Sequence, residues 1–321
     1  MSQMTIPLVA GIFSTTCAAL ITSTVCAQTY PAKPVRIVTS EAGGGNDLTA
    51  RIIAPGLTER LGQQVIVDNR SALPAIDAVT KAPPDGHTLL LTGTILWVGP
   101  LLLNNITHDA LRDFAPVAIV VNSPSIVTTH PSLPVKSIME LVTMAKSRPG
   151  ELNYASGANG APPHLAGELF KAMAGVNIVV IPYRGSGPAI NALIGGQVQL
   201  MFPTPGSVAQ HVKSGRLRAI AVTSAQPSAL LPGLPTVAAS GVPGYEADAM
   251  QPIYAPANTP AAIINRLHQE IAQVLNRSDV KEKFLNTGVE TVGGSPEQLL
   301  AKMKVEIAKW GKLIKSAGLH E

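Results

Sequence analysis

The chain is short of cysteine, of aromatic side chains and of charge, and each shortage closes off a class of function. Its two cysteines, Cys17 and Cys26, both fall in an apolar leader. Once the leader is removed no thiol remains, which excludes disulfide staples, a four-cysteine zinc site and a cysteine nucleophile together. Aromatics make up 4% of the chain and charged residues 14%. The formal net charge is +4 with a pI near 9.1. No cluster of Lys and Arg alternates with aromatics, so no nucleic-acid partner is expected. The mild basic excess suits anionic small ligands or is simply a soluble surface. There is no G-x-G-x-x-G and no Gly-Lys-Ser/Thr, the two fingerprints of nucleotide loops, and no cofactor is expected. Internal repeats and low-complexity tracts are absent as well.

Residues 1–32 carry no Lys, Arg, Asp or Glu. Residues 6–25 are apolar with interspersed Ser and Thr, and Val25-Cys26-Ala27 resembles a small-residue cleavage site. Residues 1–27 therefore read as a secretory signal peptide, although its start lacks the usual positive side chain. An uncleaved anchor is the alternative, because the stretch is nearly long enough to span a bilayer. No later run approaches that length, so the mature chain is expected to be soluble and exported to the periplasm.

What is present is glycine and proline, 28 and 27 residues respectively. The organising stretch is 35–53. Val35, Ile37 and Val38 suit a buried strand, which Gly43-Gly44-Gly45 cannot continue. Asn46 or Asp47 offers an N-cap before Leu48 and Ile52, four apart on one helix face. A strand–glycine–helix junction leaves backbone N–H groups unpaired at the positive end of a helix dipole, a site for a carboxylate or phosphate. Any tight connection in an α/β protein has the same look, so the stretch does not decide function alone.

Along the chain, strands are expected at 65–67 and 87–91, with helices running to about Leu61 (bent at Pro55-Gly56) and over 75–81. This alternation implies a parallel sheet covered by helices. Apolar runs at 114–121 and 125–129, split by Asn122-Ser123-Pro124, read as a crossing into a second sheet. Ser137 and Glu140 form a capping box for a helix with Ile138, Leu141, Val142 and Ala145 inward. Strands are expected at 152–155, 178–183 and 198–202. The intervening helices include one with the stripe Leu165, Leu169 and Met173, one over 189–194 and one over 207–213. Residues 217–223 are expected to form a second crossing strand, and 253–256 a short strand returning to the first domain. The remainder reads as helical, ending in a helix from Pro296 with the stripe Leu299, Met303, Ile307, Trp310 and Ile314, long enough to clamp one domain.

The fold class expected is α/β, with two α/β domains and two crossing strands: 28–122 with 226–321, and 123–225. The turns after Ser40, Ala155, Tyr183 and Phe202 lie at C-terminal strand ends, where open α/β sheets bind ligands.

These residues carry a family resemblance. The matching pieces include Tyr30-Pro-Ala-Lys-Pro-Val-Arg-Ile-Val, Ala42-Gly-Gly, Leu61-Gly-Gln-Gln-Val-Ile-Val-Asp-Asn-Arg, Pro84-Asp-Gly, and Asp113-Phe-Ala-Pro-Val. Leu152-Asn-Tyr-Ala-Ser-Gly, His164-Leu-Ala-Gly-Glu-Leu-Phe, Pro182-Tyr-Arg-Gly, Gly196-Gln-Val-Gln-Leu-Met-Phe, Leu217-Arg-Ala-Ile-Ala-Val-Thr-Ser and Leu234-Pro-Thr-Val continue the match across the mature chain. The chain resembles the Bug family, the extracytoplasmic receptors of tripartite tricarboxylate transporters. The resemblance implies a periplasmic binding protein-like (type II) Venus-flytrap fold that holds a small organic acid in its cleft by backbone N–H groups and water bridges. It implies a monomer that passes its solute to a membrane permease of one large and one small subunit, without chemistry on the ligand.

The expected ligand-binding residues are Glu41, Gly43, Gly44, Gly45, Asn46, Asp47, Ser156, Gly157, Asn159, Gly160, His164, Tyr183, Arg184, Gly185, Pro203 and Thr204. Several depart from the family pattern or carry two readings. Glu41 stands in Thr39-Ser40-Glu41-Ala42 where the family has Pro-Phe; facing the cleft it repels a dianion, facing outward it does nothing. The stretch Arg70-Ser71-Ala-Leu-Pro-Ala75 replaces a glycine-rich wall, Pro203 stands where Asp is common, and Met250 where Trp is common. Asp47 either orients the ligand or caps a helix. His164 and Glu168, four apart, lack a third metal ligand nearby in sequence, so no metal is expected. Ser156 and Ser186 lie outside any G-x-S-x-G elbow and read as hydroxyl donors or caps. Tyr183 and Arg184 either meet a carboxylate or serve a hinge. The competing functions are a hydrolase using Ser156 and His164, and a receptor that presents its ligand to a membrane sensor kinase.

Overall fold

The computed structural model describes Met1 and residues 30–40, 42–102, 106–156 and 162–317. The expected leader beyond Met1, Glu41 and residues 157–160 lie outside the described residues. The chain opens with β1 (Val35–Thr39), α1 (Gly45–Leu61), β2 (Val65–Asn69), α2 (Ala72–Thr80) and β3 (Thr88–Leu91). Both β2 and β3 pair with β1 in parallel, as strand–helix alternation requires. All four residues of β3 are buried, because helices cover both faces of the sheet. α1 continues through Pro55 and closes on Gly62, whose φ of +67° only glycine adopts readily, with its N–H on Thr58 O at 3.1 Å.

Next come α3 (Ile95–Leu102), β4 (Phe114–Pro124), β5 (Ile126–Thr129), α4 (Ile138–Ser147), β6 (Asn153–Ser156) and α5 (Pro162–Ala174). They are followed by β7 (Val179–Pro182), α6 (Ser186–Ile194), β8 (Leu200–Met201), α7 (Pro205–Lys213) and β9 (Arg218–Val222). The chain finishes with β10 (Asp248–Pro256), α8 (Ala261–Leu275), α9 (Ser278–Asn286), β11 (Glu290–Gly294) and α10 (Pro296–Ala317). Among the described residues the strands form two sheets, β11-β4-β10-β3-β1-β2 and β7-β6-β8-β5-β9.

The first crossing is where it was expected: β4 passes to β5 through Ser125 alone. Ser125 is held there by Thr223, with Ser125 N donating to Thr223 Oγ1 at 2.7 Å and Thr223 N donating to Ser125 O at 3.0 Å. The second crossing differs from expectation. β9 stays in the second sheet, antiparallel to β5, and the chain regains the first sheet only at β10, where Asp248 pairs with Pro124. Between them Pro227, Pro232, Pro235 and Pro243 lack the N–H groups that a continuing strand needs. The expected all-helical C-terminal region is also interrupted, because β11 adds to the edge of the first sheet beside β4. Gly293 and Gly294 disfavour helix there, and a Cβ on Gly294 would sit 3.0 Å from Ile119 Cδ1.

The capping box of α4 forms with a shift: Ser137 Oγ accepts Glu140 N at 3.2 Å, while the Glu140 carboxylate accepts Lys136 N at 2.7 Å. In α5, Leu165 and Leu169 are buried with Ala166 and Phe170, but Met173 is 40% exposed at the helix end, beside Gly244. The α10 stripe is buried apart from the partly covered Ile307. Instead of clamping one layer, α10 packs on α3 and β4 and also on α5. One apolar cluster consequently runs from Val38 and Leu90 of the first sheet to Leu200 and Ile220 of the second.

Candidate ligand-binding site

The site begins where β1 stops. Thr39 Oγ1 donates to Leu91 O at 2.9 Å, so the C-terminal ends of β1 and β3 are tied side by side. The chain turns at Gly43, with φ of +83°, and Gly44 is the N-cap of α1, which supplies no side-chain cap. Leu48 is the first residue to return a helical hydrogen bond, to Gly44 O at 3.0 Å. The N–H groups of residues 44–47 therefore have no acceptor within the helix.

Asp47 is the pin of this turn. Its buried carboxylate accepts Gly43 N, Arg51 Nε and Asn69 Nδ2, each at 2.8 Å. These bonds, the one from Arg51 foremost, pull its pKa down to about 2. Asn69 Nδ2 also reaches Ser40 O at 2.9 Å, and Arg51 reaches Asn69 Oδ1 at 2.9 Å. The carboxylate is thus spent on holding the glycine turn open.

A cavity of about 450 Å³ lies over this turn, a volume typical of small-molecule sites. Its floor is Ser40, Gly45 and Asn46, with Asn46 Nδ2 3.3 Å from Ser40 Oγ. Gly93 and Thr94, the turn after β3, form one side, and Ala249, Met250 and Gln251 of β10 another. α3 adds Ile95, Val98 and Leu102, and α5 adds its first residue, Pro162. Two glycines allow these approaches to be close. A Cβ on Gly45 would lie 3.2 Å from Gln251 Nε2, and one on Gly93 would lie 3.1 Å from Met250 O. Gln251 is oriented by Thr49, whose hydroxyl donates to Oε1 at 2.5 Å, leaving the Nε2 donors beside Gly45. No described lining residue is charged.

A larger cavity of about 730 Å³ lies between α2 and residues 106–113. Its cations are already matched: Lys81 with Asp77 at 2.7 Å, Arg112 with Asp113 at 2.7 Å, and Arg70 with Asp68 at 3.1 Å. Size alone does not make it the ligand site.

Of the residues expected from sequence, Gly45 and Asn46 line the cavity, while Gly43, Gly44 and Asp47 build the turn beneath it. Ser156 is buried at the end of β6, with its carbonyl accepting Tyr183 N at 2.8 Å. His164 is buried in the first turn of α5, and burial lowers its pKa. Glu168 is engaged by Tyr154 Oη at 2.7 Å and by Lys171 Nζ at 2.7 and 2.9 Å. Among the described residues no three possible metal ligands come together. Tyr183 packs against the core of the second sheet, Arg184 is exposed, and Gly185 folds back on Tyr183 O at 2.9 Å with φ of +105°. Buried Pro203 accepts Ile126 N at 2.8 Å through its carbonyl, and exposed Thr204 precedes α7. None of the residues 183–185, 203 or 204 lines this cavity. Glu41, Gly157, Asn159 and Gly160 lie outside the described residues.

Sequence reasoning passed over Thr94, Ile95, Val98, Leu102 and Gln251, and noted Met250 only as a departure. One signal was available. Gly93-Thr94 follows the C-terminal end of a parallel strand, the position where the other glycine turns were singled out.

With this geometry established, comparison with known proteins is decisive. A family model described as the tripartite tricarboxylate transporter family receptor matches residues 49–319. The chain belongs to this receptor family. It is 37% identical to Protein BugT of Bordetella pertussis over 316 residues, covering 97% of this chain and 96% of that one. A solved structure titled "R. palustris Rpa4515 with adipate" is 36% identical with a TM-score of 0.73, covering 90% of this chain and 98% of that one. MatC of Rhodopseudomonas palustris, solved with bound malate, is 26% identical with a TM-score of 0.70, covering 89% and 100%. This receptor family is one of periplasmic solute-binding proteins, and the two mixed sheets are its Venus-flytrap fold. Among the described residues no helix is long and apolar enough to cross a membrane.

Proposed function

We propose that this receptor captures a small organic acid in the cavity over the α1 start and delivers it unchanged to a membrane permease of one large and one small subunit. The observation that carries this reading is the combination of a helix start whose N–H groups lack helical acceptors with a cavity that has no charged side chain in its described lining. Such a start favours an anion through aligned N–H groups and the dipole. Gln251 Nε2 and the Asn46 amide add donors at the same end. Relatives solved with adipate and malate support a carboxylate ligand. In this reading residues 1–27 are removed on export, the mature chain acts as a monomer, and residues 28–122 with 226–321 close on residues 123–225 around the acid.

The test is thermal unfolding of ligand-free mature protein against mono-, di- and tricarboxylates, amino acids and aromatic acids. An acid at about a hundred times its Kd is expected to add about 2.7 kcal/mol, a rise of a few degrees. The acid should be recovered chemically intact. Silence across the panel rejects capture of organic acids, and consumption of the acid replaces the receptor with an enzyme.

A further inference from the structure

The cavity has two unlike ends. At one, Gly45, Asn46 and Gln251 gather amide donors. At the other, Ile95, Val98 and Leu102 recur at i, i+3 and i+7 of α3, one helical face, and buried Met250 joins them. The second helix start at the cavity does not repeat the first. α5 begins Pro162-Pro163, two residues without backbone N–H groups, so these two positions offer no donor, whereas the first positions of α1 offer several. No lysine, arginine or histidine stands in the described lining to balance a second charge. Moving a carboxylate from water to an uncharged wall without hydrogen bonds is strongly unfavourable, whereas an alkyl or aryl group gains there.

Building on the receptor reading above, we propose that the acid this cavity takes is an amphiphilic monocarboxylate. Its one carboxylate sits at the α1 start beside Gln251 Nε2, and its alkyl or aryl body lies along the α3 face and Met250. Gln251 sets specificity because Thr49 holds its oxygen and leaves only donors facing the acid. Dicarboxylates and tricarboxylates are selected against by the wall that would receive their second charge.

The experiment is calorimetric titration of the mature chain, stripped of solute by unfolding and refolding, with four acids: adipate, monomethyl adipate, octanoate and malate. Adipate and its monoester share a chain and differ by one charge. The monoester is expected to bind about tenfold tighter than adipate or better, octanoate to bind, and malate to give no heat. Gln251→Met, which keeps the volume and removes the donors, should weaken the monoester about tenfold. Ile95→Thr should weaken octanoate severalfold. Both variants are compared at a melting temperature within a few degrees of the parent, so that a folding defect is not read as lost affinity. Adipate or malate binding as tightly as the monoester overturns this inference and leaves the receptor reading standing. Unchanged affinities in both variants overturn the assigned contacts. No heat from any of the four acids removes this inference, and the wider thermal panel then decides whether the receptor reading falls too.

Discussion

Two helices begin at one cavity, α1 with Gly45-Asn46-Asp47 and α5 with Pro162-Pro163. In α1, glycines turn the chain, an internal carboxylate holds the turn, and the first N–H groups have no helical acceptor. In α5, proline supplies a favourable φ for helix initiation but no N–H. Both starts carry the positive end of a dipole, so the dipole does not distinguish them. The difference teaches that the directed hydrogen bond, not the field, separates the polar end of the cavity from the apolar one.

Each helix also carries a glycine at its closest packing, and here the larger effects are expected. In α5 a Cβ on Gly167 would lie 2.5 Å from the buried Tyr154 ring, whose hydroxyl is bound to Glu168. Gly167→Ala must displace that ring and should cost about 3 kcal/mol in denaturant unfolding. The counterpart in α1 is milder. A Cβ on Gly56 would meet the Val274 methyls at 3.0 Å, and the helix-propensity gain of about 1 kcal/mol for alanine, available at both positions, offsets much of this smaller crowding. Equal losses at the two positions would break the contrast in packing.

Asp47 ranks next. Its pKa of about 2 in the folded chain lies below its ordinary 3.8, so the carboxylate stabilises the fold above pH 4 and this contribution disappears as pH falls through 2. Asp47→Asn should cost about 2 kcal/mol at pH 7 and only a small fraction of that at pH 2. It should also weaken acid binding, because the Gly43 turn loses its anchor. A stability loss that is the same at pH 2 and pH 7 would show that the carboxylate charge is not what holds the turn. The smallest effect is expected from Pro163→Ala, which restores one N–H to the α5 start. Adipate should gain affinity relative to its monoester by about a fewfold, a fraction of one hydrogen bond. No change in that ratio would show that the missing donors of α5 do not set the charge preference.

Much of this was legible along the chain because the signals are local. The alternation of apolar runs with glycine turns predicted the parallel part of the first sheet, and Ser137 with Glu140 predicted the start of α4. The glycine turn at residues 43–45 marked the start of α1, where the structure leaves the first N–H groups without helical acceptors. Errors came where pairing partners are distant. β9 looked like a crossing strand because its apolar run resembles that of β5, yet what stops it is the proline-rich passage after it. β11 was invisible because its five residues, two of them Gly, form a strand only when the edge of β4 is there to pair with. Met173 keeps the spacing of the buried stripe but sits at the last turn of α5, where the covering layer has ended.

By itself the sequence determined the family, the two-sheet α/β plan and the glycine-led start of α1. Periodicity, turn chemistry and caps act over a few residues and need no distant partner. Only the tertiary structure decided what faces that helix start. Gln251 and Met250 come from a strand about two hundred positions further along the chain, and Ile95, Val98 and Leu102 from a helix whose apolar stripe looks like ordinary core. Sequence left Asp47 either to orient a ligand or to cap a helix, and only the tertiary structure brought Arg51 and Asn69 to its carboxylate beside Gly43 N. Which residues surround a cavity is set by strand order and register, and those follow from long-range pairing that no local pattern encodes.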